Sequence, residues 1–156
     1  LLRNDPAYAE RAARVSARTL DLIEWLLPRI TALAPPAASG VGPPVTKPAR
    51  LAFHPPCTLQ HGQQIRGDVE RLLAAWGAQV LPVPDAHLCC GSAGTYSVLQ
   101  PALSKQLRDR KLDALQSGHP DLILSANIGC LAHLASGTDT PVMHWIEWLD
   151  RLSPPI

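Results

Sequence analysis

The residues with the clearest chemistry are four cysteines: Cys57, the adjacent pair Cys89 and Cys90, and Cys130. Thiolates are soft ligands, suited to zinc and to iron–sulfur clusters. Other fates fit less well. Four cysteines allow three disulfide pairings, but the chain shows no secretory signal and is long enough to bury a core without staples. A bond between Cys89 and Cys90 would also strain the peptide joining them. Inert buried thiols are common, yet all four cysteines fall at predicted strand-to-helix junctions and none inside an element. A thiol-redox pair usually takes the C-x-x-C form, which Cys89 and Cys90 lack. No C-x-x-C knuckle of a zinc finger is present either. Adjacent cysteines chelate a single tetrahedral ion poorly and suit a cluster of several irons better, because each sulfur can bind a different iron. The expectation is one metal centre on Cys57, Cys89, Cys90 and Cys130, an iron–sulfur cluster first and zinc as the alternative.

The loop Cys90-Gly91-Ser92-Ala93-Gly94 leads into a predicted helix. Its small residues Gly91, Ser92 and Gly94 let backbone N–H groups approach a bound cofactor. A helix N-terminus favours negative charge, which would lower thiol pKa values there. A plain tight turn explains the same residues about as well. The loop is not a P-loop, since no Gly-Lys-Ser/Thr follows. Among the histidines, His54 and His144 follow predicted strands, and His133 lies one helical turn after Cys130. Each could ligate a metal or hydrogen-bond a sulfur, although for any single histidine a capping or core role is the commoner one. His133 is the first choice for an additional ligand. His119 is discounted because it falls in a helix-to-strand loop on the opposite edge. No G-x-S-x-G elbow, H-E-x-x-H or dinucleotide fingerprint occurs, so no catalytic residue is assigned.

The elements that must position these side chains can be read from hydrophobic spacing. Residues 5–33 read as an N-terminal helix, with Val15, Thr19, Leu22, Ile23, Leu26, Leu27 and Ile30 in one stripe. Asp5-Pro6 suits its start, and Pro28 should end or kink it. Residues 34–49 are rich in Pro and Gly and read as a linker. Residues 50–156 alternate short strands with helices. Strands are predicted at 51–53, 79–83, 121–125 and 141–143. Helices are predicted at 62–76, closed by Gly77, then from the cysteine pair to Gln116, over 130–135 and over 145–152. In the long helix Leu103, Leu107 and Ala114 align, with Leu112 out of phase. Such alternation implies right-handed crossovers and a short, parallel, four-stranded sheet with flanking helices, a Rossmann-like α/β fold. The carboxyl ends of parallel strands share one edge, where ligands bind. Cys57, Cys89-Cys90, Cys130 and His144 all follow strands, so residues far apart in sequence should meet there.

Composition limits the other classes. The chain has 156 residues, 46% hydrophobic and 17% charged, with a formal net charge of +1. That suits a globular domain with an extension, and gives no footprint for nucleic acid. No apolar run approaches the roughly 18 residues that span a bilayer. The first residues are neither a signal peptide nor an initiator Met, and the chain is read as a fragment of a longer protein.

The stretches His54-Pro55-Pro56-Cys57-Thr58-Leu59-Gln60-His61-Gly62-Gln63, Cys89-Cys90-Gly91-Ser92-Ala93-Gly94-Thr95-Tyr96 and Ala126-Asn127-Ile128-Gly129-Cys130 resemble the cysteine-rich CCG domain. That pattern runs Cys, a gap of just over thirty residues, Cys-Cys-Gly, a similar gap, then Cys-x-x-Cys. Here 31 residues separate Cys57 from Cys89, and 38 separate Gly91 from Cys130. The wording is similar to that of the glycolate oxidase iron–sulfur subunits over most of residues 50–148. The resemblance implies a C-terminal CCG domain, following a ferredoxin-like part of the same protein. It implies an electron-transfer role in a complex that oxidises glycolate to glyoxylate, with flavin on other subunits. It also implies a 4Fe–4S cluster, or zinc as in some relatives, which a fragment purified in air can lose. A cytoplasmic location follows, with peripheral membrane association only through the complex. The fragment alone would not be catalytic. The alternative is a zinc-binding or metal-free module that docks the flavin subunits. One departure stands out: His133 occupies the place of the last cysteine.

Overall fold

The computed structural model describes residues 1–30 and 48–152. The chain divides into two units, Leu1–Leu33 and Ala34–Ile156. The linker expected over 34–49 lies almost wholly outside the described residues.

In the first unit the single helix expected from residue 5 is two helices, α1 (Ala9–Arg18) and α2 (Leu22–Ile30). Asp5 caps a preceding turn, its Oδ1 accepting from the N–H groups of Ala7 and Tyr8 at 2.9 and 3.2 Å. The break has a local cause. Thr19 is extended, with ψ 117. Asp21 and Glu24 then form a reciprocal cap: Asp21 Oδ1 accepts from Ile23 N (3.0 Å) and Glu24 Oε2 accepts from Asp21 N (2.7 Å). This D-x-x-E pairing starts a new helix where apolar spacing alone reads straight through. Pro28 sits inside α2.

The second unit is α/β. Its strands are β1 (Arg50–His54), β2 (Gln79–Val80), β3 (Leu122–Ser125) and β4 (Val142–His144). All pair in parallel, in the order β2-β1-β3-β4. β2 is shorter than expected. Leu81 N still donates to Leu51 O at 2.8 Å, but Pro82 has no N–H and ends the ladder. Leu51, Ala52, Phe53, Ile123 and Leu124 are buried at the centre of the sheet, as a sheet covered on both faces requires.

The helices are α3 (Asp68–Ala75), α4 (Tyr96–Leu99), α5 (Pro101–Gln116), α6 (Ile128–Ala135) and α7 (Trp145–Leu152). The helix expected from residue 62 begins only at Asp68. Thr58–Gly62 instead form one wide π-type turn, and Gln64 and Gly67 take φ of 61 and 77, which no α-helix accommodates. α3 closes as expected at Gly77, with φ 88. There Gly77 N donates to Ala74 O (3.0 Å) and Ala78 N to Leu73 O (3.1 Å), the paired bonds of a Schellman closure.

α5 buries Ser104, Lys111, Leu112 and Leu115, while Leu103 is 46% exposed. The buried face is therefore rotated by one residue from the expected stripe. Polar contacts made by Ser104 and Lys111, described below, set that rotation. Leu112 and Leu115 join Ala52, Ile123, Leu134, Cys90 and Cys130 in one core cluster. Each fully buried aliphatic side chain there contributes about 1.5–3 kcal/mol.

The strand order fixes where a ligand can sit. From β1 the chain first moves outward to β2, then crosses to the other side of β1 to build β3 and β4. The direction reverses between β1 and β3, and the crevice beyond their carboxyl ends is the usual ligand site of such sheets. His54, Ser125 and His144 share one register at that edge.

Candidate metal centre

Three separate devices bring the four cysteines to this crevice. Beyond β1, buried Pro55 and Pro56 lead into the wide turn, where Leu59 N and Gln60 N both donate to Pro56 O at 3.0 Å. Cys57 stands at the head of that turn and is exposed. The buried Gln60 amide donates to Pro55 O (2.9 Å) and His87 O (3.4 Å). It thereby joins the exit of β1 to the loop before the cysteine pair.

That second loop is held from below by Lys111, which is 1% exposed. Its Nζ donates to the carbonyls of Asp85 (3.0 Å) and Ala86 (2.9 Å). Gly91 makes the turn after Cys90 with φ 90, and a Cβ there would run into Ser104 O and come within 3.0 Å of Leu107 Cβ. Only glycine fits so close an approach at positive φ. Ser104 Oγ donates to Gly91 O at 2.7 Å, which fixes the loop on α5. The loop runs on to α4, only four residues long and without a side-chain cap.

Cys130 lies in the first turn of α6, not in the loop before it. Asn127 caps that helix, its Oδ1 accepting from Gly129 N (2.9 Å) and Cys130 N (3.3 Å). One short polar side chain therefore sets the direction of Cys130 relative to the sheet.

These devices bring the four thiols around one crevice. Cys90 and Cys130 form its buried floor, and Cys57 and Cys89 its outer part. A cavity of about 180 Å³ is lined by Cys57, Cys89 and Cys130, with Ser92, Gly94 and Asn127 among its walls. Ser92 Oγ lies 3.5 Å from Cys90 Sγ and 4.0 Å from Cys130 Sγ. Gly91 N donates to Cys89 Sγ at 3.3 Å. Of the expected loop residues, Gly91 is therefore a packing and turn residue, whereas Ser92 and Gly94 face the cavity.

The histidines separate. His54 is fully buried, and neither ring nitrogen has a hydrogen-bond partner among the described residues. A ring nitrogen of His54 and the Sγ atoms of Cys90 and Cys130 all lie within 4.8 Å of one another. His133 points elsewhere. Its Nε2 lies 3.1 Å from Ser104 Oγ and 3.3 Å from Ser104 O. The Ser104 hydroxyl proton already goes to Gly91 O, so His133 Nε2 is the donor. His144 Nδ1 accepts from Ile146 N at 3.2 Å, at the start of α7. Apolar spacing gives no hint that His54 differs from the others. Its position as the last residue of a buried strand is the available signal.

Crowding shapes the electrostatics of the thiols. A hydrogen bond from Cys130 pulls the pKa of Cys90 far below the ordinary thiol range, against its burial and with help from His54 and Ser92. The same bond, with burial and the neighbouring sulfurs, pushes Cys130 strongly up. Cys57 is raised, first by burial and then by Cys89 and Cys90. The general lowering expected from a helix N-terminus holds for Cys90, and there for a different reason. Burial lowers the pKa of Lys111, while Cys90, Asp85, Cys57 and Cys89 act to raise it.

Crowded soft donors and a buried imidazole that faces two of them together suit a metal cation. A bound cation supplies the ring's missing partner and neutralises the sulfurs. Cys57, Cys89, Cys90 and Cys130 are the thiols that would hold it.

Comparisons with known proteins agree with this geometry. The cysteine-rich domain CCG matches residues 51–135, a span that runs from β1 to the end of α6 and includes all four cysteines. The chain is 48% identical over 151 residues to the glycolate oxidase iron-sulfur subunit of Escherichia coli, covering 97% of this chain and 35% of that protein. It is 31% identical over 160 residues to lactate utilization protein A of Geobacillus thermodenitrificans, covering 97% of this chain and 62% of that protein. The Bacillus subtilis protein of the same name is 26% identical over 156 residues, with 62% of its length covered. The chain thus spans about a third of the first relative and about three fifths of the others. The matched span covers more than half of the chain and holds all four cysteines, so the chain belongs to the cysteine-rich CCG domain family.

Proposed function

We propose that the α/β unit is an iron–sulfur electron-transfer module of a multi-subunit, flavin-dependent oxidoreductase that oxidises a 2-hydroxy acid, with glycolate to glyoxylate as the reaction. The convergence of Cys57, Cys89, Cys90 and Cys130 on one crevice carries this reading. The names of the relatives, an iron–sulfur subunit and lactate utilization proteins, support the same reaction class.

Oxidation of the hydroxy acid releases two electrons and two protons, which the flavin of a partner subunit accepts. A 4Fe–4S cluster, when bound, supplies one-electron transfer from that flavin. The chain's own residues hold the site. Cys90 and Cys130 anchor its dry floor, and Cys57 and Cys89 reach it from the solvent side. Ser92 lies against two of the sulfurs, and the buried Lys111 ammonium adds positive charge behind them. In this reading the unit carries electrons and is not itself catalytic. The remaining part of the protein and the flavin subunits are its partners. We place the complex in the cytoplasm, at the inner face of the membrane. Among the described residues no helix is long and apolar enough to cross a membrane.

Protein prepared without oxygen tests this. Iron and acid-labile sulfide in equal amounts, with a reducible chromophore that Cys90→Ser abolishes, are the expected result. Colourless protein with stoichiometric zinc and unchanged complex turnover in Cys90→Ser would overturn it in favour of a structural docking module.

A further inference from the structure

His54 poses a problem that a purely sulfur-ligated site leaves open. Its side chain has 0% exposure. Neither ring nitrogen has an oxygen or nitrogen hydrogen-bond partner among the described residues, and the polar groups the ring faces are the sulfurs of Cys90 and Cys130. A neutral imidazole carries one donor and one acceptor. Burying either unmet costs about 1–3 kcal/mol. The backbone needs no histidine here: Ser125 Oγ donates to His54 O at 2.9 Å, and β1 pairs with β3 through main-chain atoms. An apolar side chain on this strand end would fill the same core without that cost.

The surroundings suggest what the ring is for. A ring nitrogen lies within 4.8 Å of both buried sulfurs, Cys90 Sγ and Cys130 Sγ, which are themselves within that distance of each other. Three donors on β1, on the loop after β2 and on α6 thus surround one point at the switch of strand order. The other two candidate histidines are engaged. His133 donates from Nε2 to Ser104, and His144 accepts at Nδ1 from Ile146 N.

We propose that His54 is a metal ligand: one of its ring nitrogens, with Cys90 Sγ and Cys130 Sγ, binds a metal ion on the buried floor of the crevice. Cys57 and Cys89 complete the centre from outside. The mixed nitrogen and sulfur set suits a borderline divalent ion such as zinc, and equally one iron of a cluster. The departure at position 133, on α6, is then compensated from the end of β1, not by the histidine that replaces the missing cysteine. This inference rests on the crevice being a metal centre, and not on the metal being iron.

The test uses the full chain, stripped of metal and titrated with Co²⁺ or Zn²⁺ without oxygen. X-ray absorption at the edge of the added metal is expected to show sulfur scatterers and one imidazole ring. The imidazole signal should persist in His133→Gln and His144→Gln and vanish in His54→Gln. Affinity for Co²⁺ should fall by roughly a hundredfold in His54→Gln, the size expected for a disturbed metal shell. If His54→Gln does not fold, the wild-type spectrum decides alone: an all-sulfur shell, or no binding of either ion, overturns the proposal. An imidazole that survives in His54→Gln overturns it too. Iron and sulfide analysis reports separately on the cluster. An all-sulfur cluster would refute the His54 ligand and leave the electron-transfer reading intact. A zinc site with one imidazole and no iron would do the reverse.

Discussion

Replacing Gly91 with alanine should destabilise the cysteine-bearing unit by about 3–6 kcal/mol. Its φ is 90, a conformation that costs an L-residue about 1–2 kcal/mol. The added methyl has nowhere to go. It would meet Ser104 O, Leu107 Cβ at 3.0 Å and His133 Nε2 at 3.3 Å. The carbonyl is helix backbone and cannot swing aside, so loop and α5 must part, at about 1–3 kcal/mol for such overpacking. Parting them also breaks the bond from Ser104 Oγ to Gly91 O, worth about 1 kcal/mol. Against a typical total of 5–15 kcal/mol, the loss is large, and at about 2–4 °C per kcal/mol it lowers the melting temperature by roughly 10 °C. The control is Gly94→Ala. Gly94 has φ 56 with nothing within 4 Å of its added Cβ, so only the conformational cost of about 1–2 kcal/mol remains. Urea unfolding of the metal-free protein, followed by far-ultraviolet circular dichroism, measures both. Equal losses in the two variants would refute the close approach of loop and helix on which the placement of Cys90 depends.

Three further outcomes follow from the same geometry. Asn127→Ala should cost about 1 kcal/mol by orphaning the N–H groups of Gly129 and Cys130, and Asn127→Asp should retain most of it; thermal unfolding of the pair decides. Lys111→Met leaves the carbonyls of Asp85 and Ala86 without their donor and should cost about 1–3 kcal/mol, with a loosened 85–90 loop visible as faster amide exchange; unchanged exchange would count against its anchoring role. Glu70 has a pKa raised chiefly by burial, so the folded state holds its proton more tightly than the unfolded one. Its stabilising protonation is complete below the ordinary glutamate value of about 4.3 and is lost as pH rises through the higher folded value. Glu70→Gln should therefore melt higher than the parent at pH 7, with the gap closing toward pH 4. A gap that widens on acidification would show the sign to be wrong.

Much of this architecture is legible in the order of residues. The strands over Leu51, Val80, Ile123 and Val142 announce themselves by apolar runs between breakers, and Gly77 marks the end of α3. The misreadings have local causes. The N-terminal stripe runs across Thr19–Asp21, yet the Asp21–Glu24 cap restarts the helix there. Ile65 keeps helical spacing with Val69, but positive φ at Gln64 and Gly67 rules the helix out. In α5 the buried face belongs to Ser104 and Lys111, which apolar spacing assigns to solvent.

The sequence by itself determined the four thiols, their placement after strands and hence their meeting on one edge. A parallel sheet has only one carboxyl edge, so residues that follow its strands must share it. What it left undecided is which of these groups is inside. Strand order, with its reversal between β1 and β3, makes the crevice. The packing of α5 on the Gly91 turn buries Cys90, while Cys57 stays exposed at the head of the wide turn after β1. The same packing engages His133 with Ser104, while the strand end leaves the His54 ring buried without a partner. Spacing along a chain records which residues follow which strand. Which ring is left wanting a partner depends on neighbours as distant as Ser104 and Cys130, and only the tertiary structure supplies those.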